Sequence, residues 1–267
     1  MKIESLSHLE GVLGYKTPEM YEILERGEKN HYHFKWEKGI VKGEMVYRQF
    51  SPSKKNLRDL QNRMQTRIFQ KIALPAHVQG CVTGRGNITN AKLHQGNLYK
   101  FHTDLKSYFD FVSNKKVYDA LRQLGFSQKV SHLLTRLTTY KGHLPQGPPT
   151  SPFLANIAGL EMDEAILTLC REHGITYSRY VDDLCFSSQS DFKAGVPTII
   201  EIIEAHGFFI GYKKTKYKLG RLEITGADIG QNLLRPTKKQ LAKYWAPETA
   251  DYTRKGLDIY FAGLRKK

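Results

Sequence analysis

Two carboxylates stand side by side in Tyr180-Val181-Asp182-Asp183, where the β-rich runs Ile175–Val181 and Leu184–Ser187 meet. At a hairpin tip they repel each other, and packing of the flanking strands strips them of water. Aspartates are also ordinary turn formers, so the pair alone is open to either reading. Divalent metal supplies a chemical reason for it. Mg²⁺ takes carboxylate and phosphate oxygens in octahedral geometry. A pair of such ions activates an attacking hydroxyl and stabilises the oxygen of a leaving pyrophosphate. Asp104 follows the run Leu98–Thr103 and brings a third carboxylate to a strand end. The expected metal ligands are therefore Asp104, Asp182 and Asp183, binding a pair of Mg²⁺ ions with Mn²⁺ as a substitute.

Phe109 lies five positions after Asp104. A ring beneath the sugar of a bound nucleotide would clash with a 2′-hydroxyl and so select deoxynucleotides; the competing reading is a core aromatic. Leu144-Pro145-Gln146-Gly147-Pro148-Pro149-Thr150-Ser151-Pro152 is a loop stiffened by proline, which fixes φ. It runs into a helix containing Ala155, Ala158 and Gly159. Gln146 would there be presented to an incoming nucleotide or a template strand, against the plainer reading of a stiff surface turn.

These residues need a scaffold. After a helix start at Ser51-Pro52-Ser53, Leu60, Met64, Ile68 and Ile72 recur at helical spacing, and Leu74-Pro75 closes that helix. Gly80–Gly86 is a loop with several glycine hinges. Leu98–Leu105 is a predicted strand, Lys115–Leu124 a helix stopped by Gly125, and Ser127 the N-cap of a helix reaching Thr138. A single long buried helix is predicted from Pro152 to His173, ended by Gly174. A hairpin then holds Asp182 and Asp183 in its tight turn. A helix over Phe192–Ala205, strands at Phe208–Tyr212 and Leu222–Ile224, and helices over Thr237–Tyr244 and Tyr252–Leu264 complete the pattern. Without a regular βαβ rhythm, the expected class is α+β, an antiparallel sheet with helices on one face.

Lys and Arg number 41 against 26 Asp and Glu, a net charge of +15. Such an excess attracts polyanions. Nucleic acid is the commonest, because each phosphate neutralised releases counterions; a generic solubility surface is the alternative. The 3 cysteines form no CxxC pair, which argues against a disulfide framework or a zinc site. No apolar run approaches the roughly 20 residues of a membrane span. Met1-Lys2-Ile3-Glu4-Ser5 is followed by no signal-peptide core. A cytoplasmic protein without membrane contact is expected.

Taken in order, Asp104-Leu-Lys-Ser-Tyr-Phe109, Pro145-Gln-Gly-Pro-Pro-Thr-Ser-Pro152 and Tyr180-Val-Asp-Asp183 resemble the three central palm motifs of reverse transcriptases. Gly207-Phe-Phe-Ile-Gly-Tyr-Lys-Lys214 is similar to the motif that follows them. Asn90-Ala91-Lys92-Leu93-His94 resembles the NAxxH element of the bacterial retron enzymes, and Ile224-Thr225-Gly226 their VTG element with Ile for Val. Arg48-Gln-Phe-Ser-Pro52 and Gly84-Arg85-Gly86 resemble the fingers segments that grip a triphosphate.

The resemblance implies a right-hand polymerase: N-terminal region and fingers over residues 1–103, palm with inserted fingers helices over 104–230, and a compact basic helical thumb over 231–267. It implies metal binding by Asp104, Asp182 and Asp183. Arg85 would neutralise the triphosphate, with Arg48 a second candidate, and Gln146 and Phe109 would line the nucleotide pocket. Lys214 would protonate the leaving pyrophosphate, with Lys213 and Lys216 as alternatives. Asn90 and His94 would serve RNA binding. So would Arg235, Lys238, Lys239, Arg254 and Lys255, from a terminal segment in which cations alternate with aromatic residues. Implied partners are a structured non-coding RNA acting as template and primer, deoxynucleoside triphosphates, the RNA–DNA product and an effector protein. Synthesis would start from an RNA 2′-hydroxyl, in a system that defends against phage. Two other readings stand beside it: a bacterial reverse transcriptase of the abortive-infection or intron type, and a non-catalytic RNA-binding scaffold. The intact acidic residues and Gln146 count against the scaffold.

Overall fold

A computed structural model describes residues 2–26, 31–41, 44–231 and 233–265, excluding the side chains of residues 39–41, 44 and 46–48. In chain order come helices α1 (Leu6–Leu13) and α2 (Thr17–Glu25), strands β1 (Lys35–Val41) and β2 (Glu44–Phe50), and helices α3 (Lys55–Arg67) and α4 (Asn87–Leu93). Strand β3 (Tyr99–Asp104) precedes helices α5 (Tyr108–Phe111), α6 (Asn114–Gln123), α7 (Gln128–Thr138), α8 (Ser151–Ala158) and α9 (Leu160–Glu172). Then follow β4 (Thr176–Tyr180), β5 (Asp183–Ser188), α10 (Val196–Ala205), β6 (Lys216–Leu219), β7 (Leu222–Ile224), β8 (Ala227–Ile229) and β9 (Leu234–Pro236). Helices α11 (Lys238–Trp245) and α12 (Asp251–Arg265) end the series. The class is α+β.

The chain divides into two compact units. The first comprises Met1–Leu74 and Ser107–Leu160. Its helices α1, α3 and α7 pack through Leu9, Leu13, Leu60, Met64, Leu133 and Leu137, all buried. Gln61, also buried, donates from Nε2 to the Leu137 carbonyl at 2.8 Å, which gives that carbonyl and the amide N–H a partner, while its Oε1 has none. Phe69 stacks on Phe153 at 4.7 Å. Ser127 caps α7 as its sequence position suggests, and Ser113 caps α6 in the same way.

The second unit comprises Pro75–Lys106 and Glu161–Lys267. Its four-stranded antiparallel sheet has the order β4-β5-β3-β6. Phe101, Tyr177 and Phe186 fill one side of it, with Phe186 lying 5.5 Å from Phe101 and 4.9 Å from Tyr177. A smaller antiparallel sheet, β7-β8-β9, carries α12. Leu264 joins Leu222, Ile224, Ala227, Ile229 and Leu234 in one apolar cluster, with Ile88 and Ala91 of α4 beside them.

Three expectations fail. The helix expected to run to Leu74-Pro75 ends at Arg67, where Ile68 leads into a separate tighter turn over Phe69–Lys71. The long helix from Pro152 is two helices, α8 and α9, because Gly159 ends the first with its N–H turned to the Asn156 and Ile157 carbonyls. Phe208–Tyr212 is not a strand. It makes one bridge, Ile210 to Leu105, and then turns at Gly211, whose carbonyl accepts from Lys214 N at 2.9 Å. Hairpin β1–β2 and strands β6, β8 and β9 leave no mark in the sequence pattern: they are short, or rich in Lys, Glu and Gly, and give no clean apolar alternation.

Candidate active site

Antiparallel pairing of β3 with β5 sets Asp104 directly opposite Asp183. Residues opposed in this way share a sheet face. Just beyond, Leu105 N donates to the Asp182 carbonyl at 2.8 Å, tying the end of β3 to the turn between β4 and β5. Within that turn Val181 has φ +60°. A β-branched residue in the left-handed region costs on the order of 1–3 kcal/mol and persists only where its surroundings impose it. Gly80 is one such surrounding, since a Cβ there would lie 2.6 Å from the Val181 nitrogen.

The carboxylates differ in environment. Burial, then the neighbouring Asp183 charge, pushes the Asp182 carboxyl up to about 6, with Lys214 partly offsetting both. Asp104 Oδ2 accepts from Lys214 Nζ at 3.0 Å, while its buried Oδ1 has no hydrogen-bond partner. Gly211 leaves room for that carboxylate: a Cβ would meet Oδ1 at 2.7 Å. Asp183 Oδ1 lies 3.3 Å from His102 Nε2, close enough for an ion pair but without hydrogen-bond geometry. Among the described residues no three His, Cys, Asp or Glu side chains converge on a single point. In donor chemistry the aspartates nevertheless fit hard divalent cations. Their oxygens are hard, one is buried and orphaned, and Asp182 is a desolvated carboxylate short of positive charge.

The remaining expected site residues are distributed. Lys214 joins the aspartates. Arg85 Nη1 donates to the Pro75 and Val78 carbonyls at 2.5 and 2.6 Å, bracing its own loop. Phe109 and Gln146 belong to the first compact unit. Phe109 is half-buried and edge-on to Tyr108. Gln146 is half-buried, and its carbonyl accepts from Ser51 N at 2.8 Å. The Arg48 side chain lies outside the described residues.

Asn90 and His94 require a correction: both are wholly buried and cannot touch RNA directly. His94 bonds Ser187 Oγ at 2.8 Å and Ser178 Oγ at 2.7 Å, and burial, aided by the Lys100 charge, holds it down to about 3, so the ring is neutral. Asn90 Nδ2 donates to Thr225 Oγ1 at 3.1 Å, and its Oδ1 accepts from Ser178 Oγ. These residues pin α4 to the sheet and to the β7–β8 turn. Arg254 is likewise committed within the protein, donating to the Tyr244 and Ala246 carbonyls at the end of α11, where a cation also offsets the helix dipole. Arg235, Lys238, Lys239 and Lys255 are exposed.

Sequence reading missed His102, Gly80, Gly211 and the pair Arg179–Asp163. His102 was within reach, being two residues before Asp104 and so on the same strand face. Gly80 is legible as a loop hinge, but its packing against Val181, like that of Gly211 against Asp104, depends on distant chain segments and gave no signal.

Strand-end aspartates on an antiparallel sheet flanked by helices define a right-hand polymerase. The fold agrees: the telomerase of Candida albicans, solved in complex with a fragment of telomeric RNA, matches over 92% of this chain and 60% of its own, with TM-score 0.54 and 11% identity. Residues 40–248 match the family described as reverse transcriptase (RNA-dependent DNA polymerase), and the chain belongs to it. Its curated relatives include the retron Se72 reverse transcriptase of Salmonella heidelberg, 27% identical over 250 residues, covering 89% of this chain and 65% of that one. The retron Ec86 reverse transcriptase of Escherichia coli is 32% identical over 186 residues, covering 68% and 58%. The chain thus spans less than two thirds of either relative's length.

Proposed function

We propose that the chain is an RNA-directed DNA polymerase of the retron type, copying part of a dedicated structured non-coding RNA and retaining the RNA–DNA product. The observation that carries this reading is the register of Asp104 against Asp183, with Asp182 desolvated beside them, in a member of this family. Asp104, Asp182 and Asp183 would hold a pair of Mg²⁺ ions, or Mn²⁺ in their place, which would supply charge stabilisation for attack of a primer hydroxyl on a deoxynucleoside triphosphate and for departure of pyrophosphate. Lys214, already beside Asp104, donates a proton to the leaving pyrophosphate. Phe109 would exclude the 2′-hydroxyl and Gln146 would contact the nucleotide or template; Arg85, whose Nη1 braces its loop in this structure, and Arg48 are the guanidinium groups for the triphosphate, whose oxygens they would bond in a fork. Following the resemblance, synthesis starts from an RNA 2′-hydroxyl, and the complex acts with an effector protein in phage defence in the cytoplasm. Among the described residues no helix is long and apolar enough to cross a membrane.

The test is to sequence the nucleic acid that co-purifies with the wild-type chain and with Asp182→Asn. A branched RNA–DNA species from the wild type, and RNA alone from the variant, is the expected result. Heterogeneous DNA would point to another kind of bacterial reverse transcriptase, and RNA without DNA from both chains to a non-catalytic scaffold.

A further inference from the structure

The turn that carries Asp182 rests on a buried ion pair. Arg179, on β4, is fully buried. Its Nε donates to Asp163 Oδ1 at 2.8 Å and its Nη2 to Oδ2 at 2.7 Å. Asp163, on α9, is also fully buried and accepts from Tyr177 Oη at 2.7 Å, with His77 Nε2 3.1 Å from Oδ2. The remaining arm of the guanidinium, Nη1, donates to the Val181 carbonyl at 3.1 Å. The backbone beneath is fixed as well: Arg179 N bonds the His77 carbonyl at 2.8 Å, and the Arg179 carbonyl accepts from Gln79 N at 2.7 Å.

We propose that Arg179, locked by Asp163, is a positioning residue for Asp182, holding the Val181 carbonyl so that the turn stays left-handed and presents the Asp182 carboxylate to metal. The proposal rests on the metal-dependent reading of the aspartates given above. A role in stability alone explains the arrangement less well. A buried ion pair gives little net stability over well-packed apolar residues of similar volume. Apolar residues cannot, however, donate to the Val181 carbonyl. Val181 gains nothing from φ +60° by itself and would relax toward the β region if released. Gly80 packs closely against the same residue, so that even a Cβ there would collide with it. The catalytic aspartate therefore follows a residue held by two separate contacts.

The experiment is primer extension on a supplied primer–template with Mg²⁺ titrated, comparing wild type, Arg179→Lys, Arg179→Lys with Val181→Gly, and Asp182→Asn. Arg179→Lys keeps the charge but loses the fork. The expected result is a fall in kcat and a rise in half-saturating Mg²⁺, each roughly 10–100-fold, the usual effect of removing a partner that orients a ligand. Template affinity should not change. Val181→Gly should recover much of the loss, because glycine adopts the left-handed conformation freely. Lower activity at unchanged half-saturating Mg²⁺, or no recovery on adding Val181→Gly, overturns the proposal. Wild-type activity in Asp182→Asn would instead bring down the metal reading itself. If Arg179→Lys does not fold, Asp163→Asn is measured in the same way; if neither folds, the pair serves stability and the positioning role is refuted.

Discussion

Asp182 concentrates the tension between stability and chemistry. Its carboxyl is raised to about 6, chiefly by burial and next by Asp183. A carboxyl raised on folding favours the folded state fully only below its unfolded pKa; that contribution is lost as pH climbs toward the folded value. In metal-free protein at about pH 8, Asp182→Asn should therefore raise stability by roughly 1–3 kcal/mol, with the gain vanishing below about pH 4. Thermal melts in chelator across that range check it; an equal effect at both ends would mean that charge is not the cause. Phe109→Val should raise ribonucleotide incorporation relative to deoxynucleotide, measured by single-nucleotide extension, and an unchanged ratio would leave Phe109 a packing residue. The aspartates were legible in sequence because carboxylates placed where structure gains little stand out. Arg179 and Asp163 were not, since they lie 16 positions apart on β4 and α9 and only tertiary packing makes them a pair.

Elements explain why the short motifs near the palm are where they are. Thr225 at φ +46° and Gly226 at φ +83° form the tight turn joining β7 to β8. Asn90 of α4 grips Thr225, while Tyr260 Oη and Gln240 Nε2 both donate to the Gly226 carbonyl at 3.0 Å. Asn87 Nδ2 donates to the same Tyr260 hydroxyl at 2.9 Å. Two segments more than 130 residues apart thus meet, which no local pattern reveals. Helices fared better in sequence reading: Ser127 was legible as an N-cap and Thr237 as a helix start, signals contained within four residues. Small strands fared worse: β7 is legible at Leu222–Ile224, but the three-residue strands β8 and β9 carry too few positions for a period to show. If this packing holds α12 in place, Leu264→Ala should cost about 2–5 kcal/mol through the cavity it leaves. Tyr260→Phe should cost about 1 kcal/mol through the hydrogen bonds. Urea unfolding followed by circular dichroism measures both, and a negligible effect of Leu264→Ala would show that α12 is not docked on β7–β9.

At the scale of the whole molecule the charge of +15 is the dominant physical fact, and its use depends on which cations are free to meet phosphate. Lys238, Lys239 and Lys243 on α11 and Lys255 on α12 are exposed, whereas Arg254 is spent on carbonyls at the end of α11. Deleting the segment beyond Gln231 would not isolate these charges, since it would also remove β9 and take Leu234 and Leu264 out of the core. Replacing the four lysines by glutamine leaves the packing intact, and surface changes of this kind usually alter stability by no more than about 0.5 kcal/mol each. If α11 and α12 lie along structured RNA, each phosphate that is no longer neutralised should flatten the slope of log affinity against log salt by about 0.7–0.9. The four-lysine variant should then show a slope smaller by up to about 3.5, with its largest loss of affinity at low salt. Extension of a generic primer–template should suffer less than synthesis on the native RNA, because shape and unpaired bases, rather than a readable groove, distinguish one RNA from another. Binding of the native RNA measured at several salt concentrations, with melting curves to show the fold unchanged, tests the idea. Identical slopes for the variant and the wild type would place the RNA elsewhere on the protein and return these lysines to the role of a solvated face.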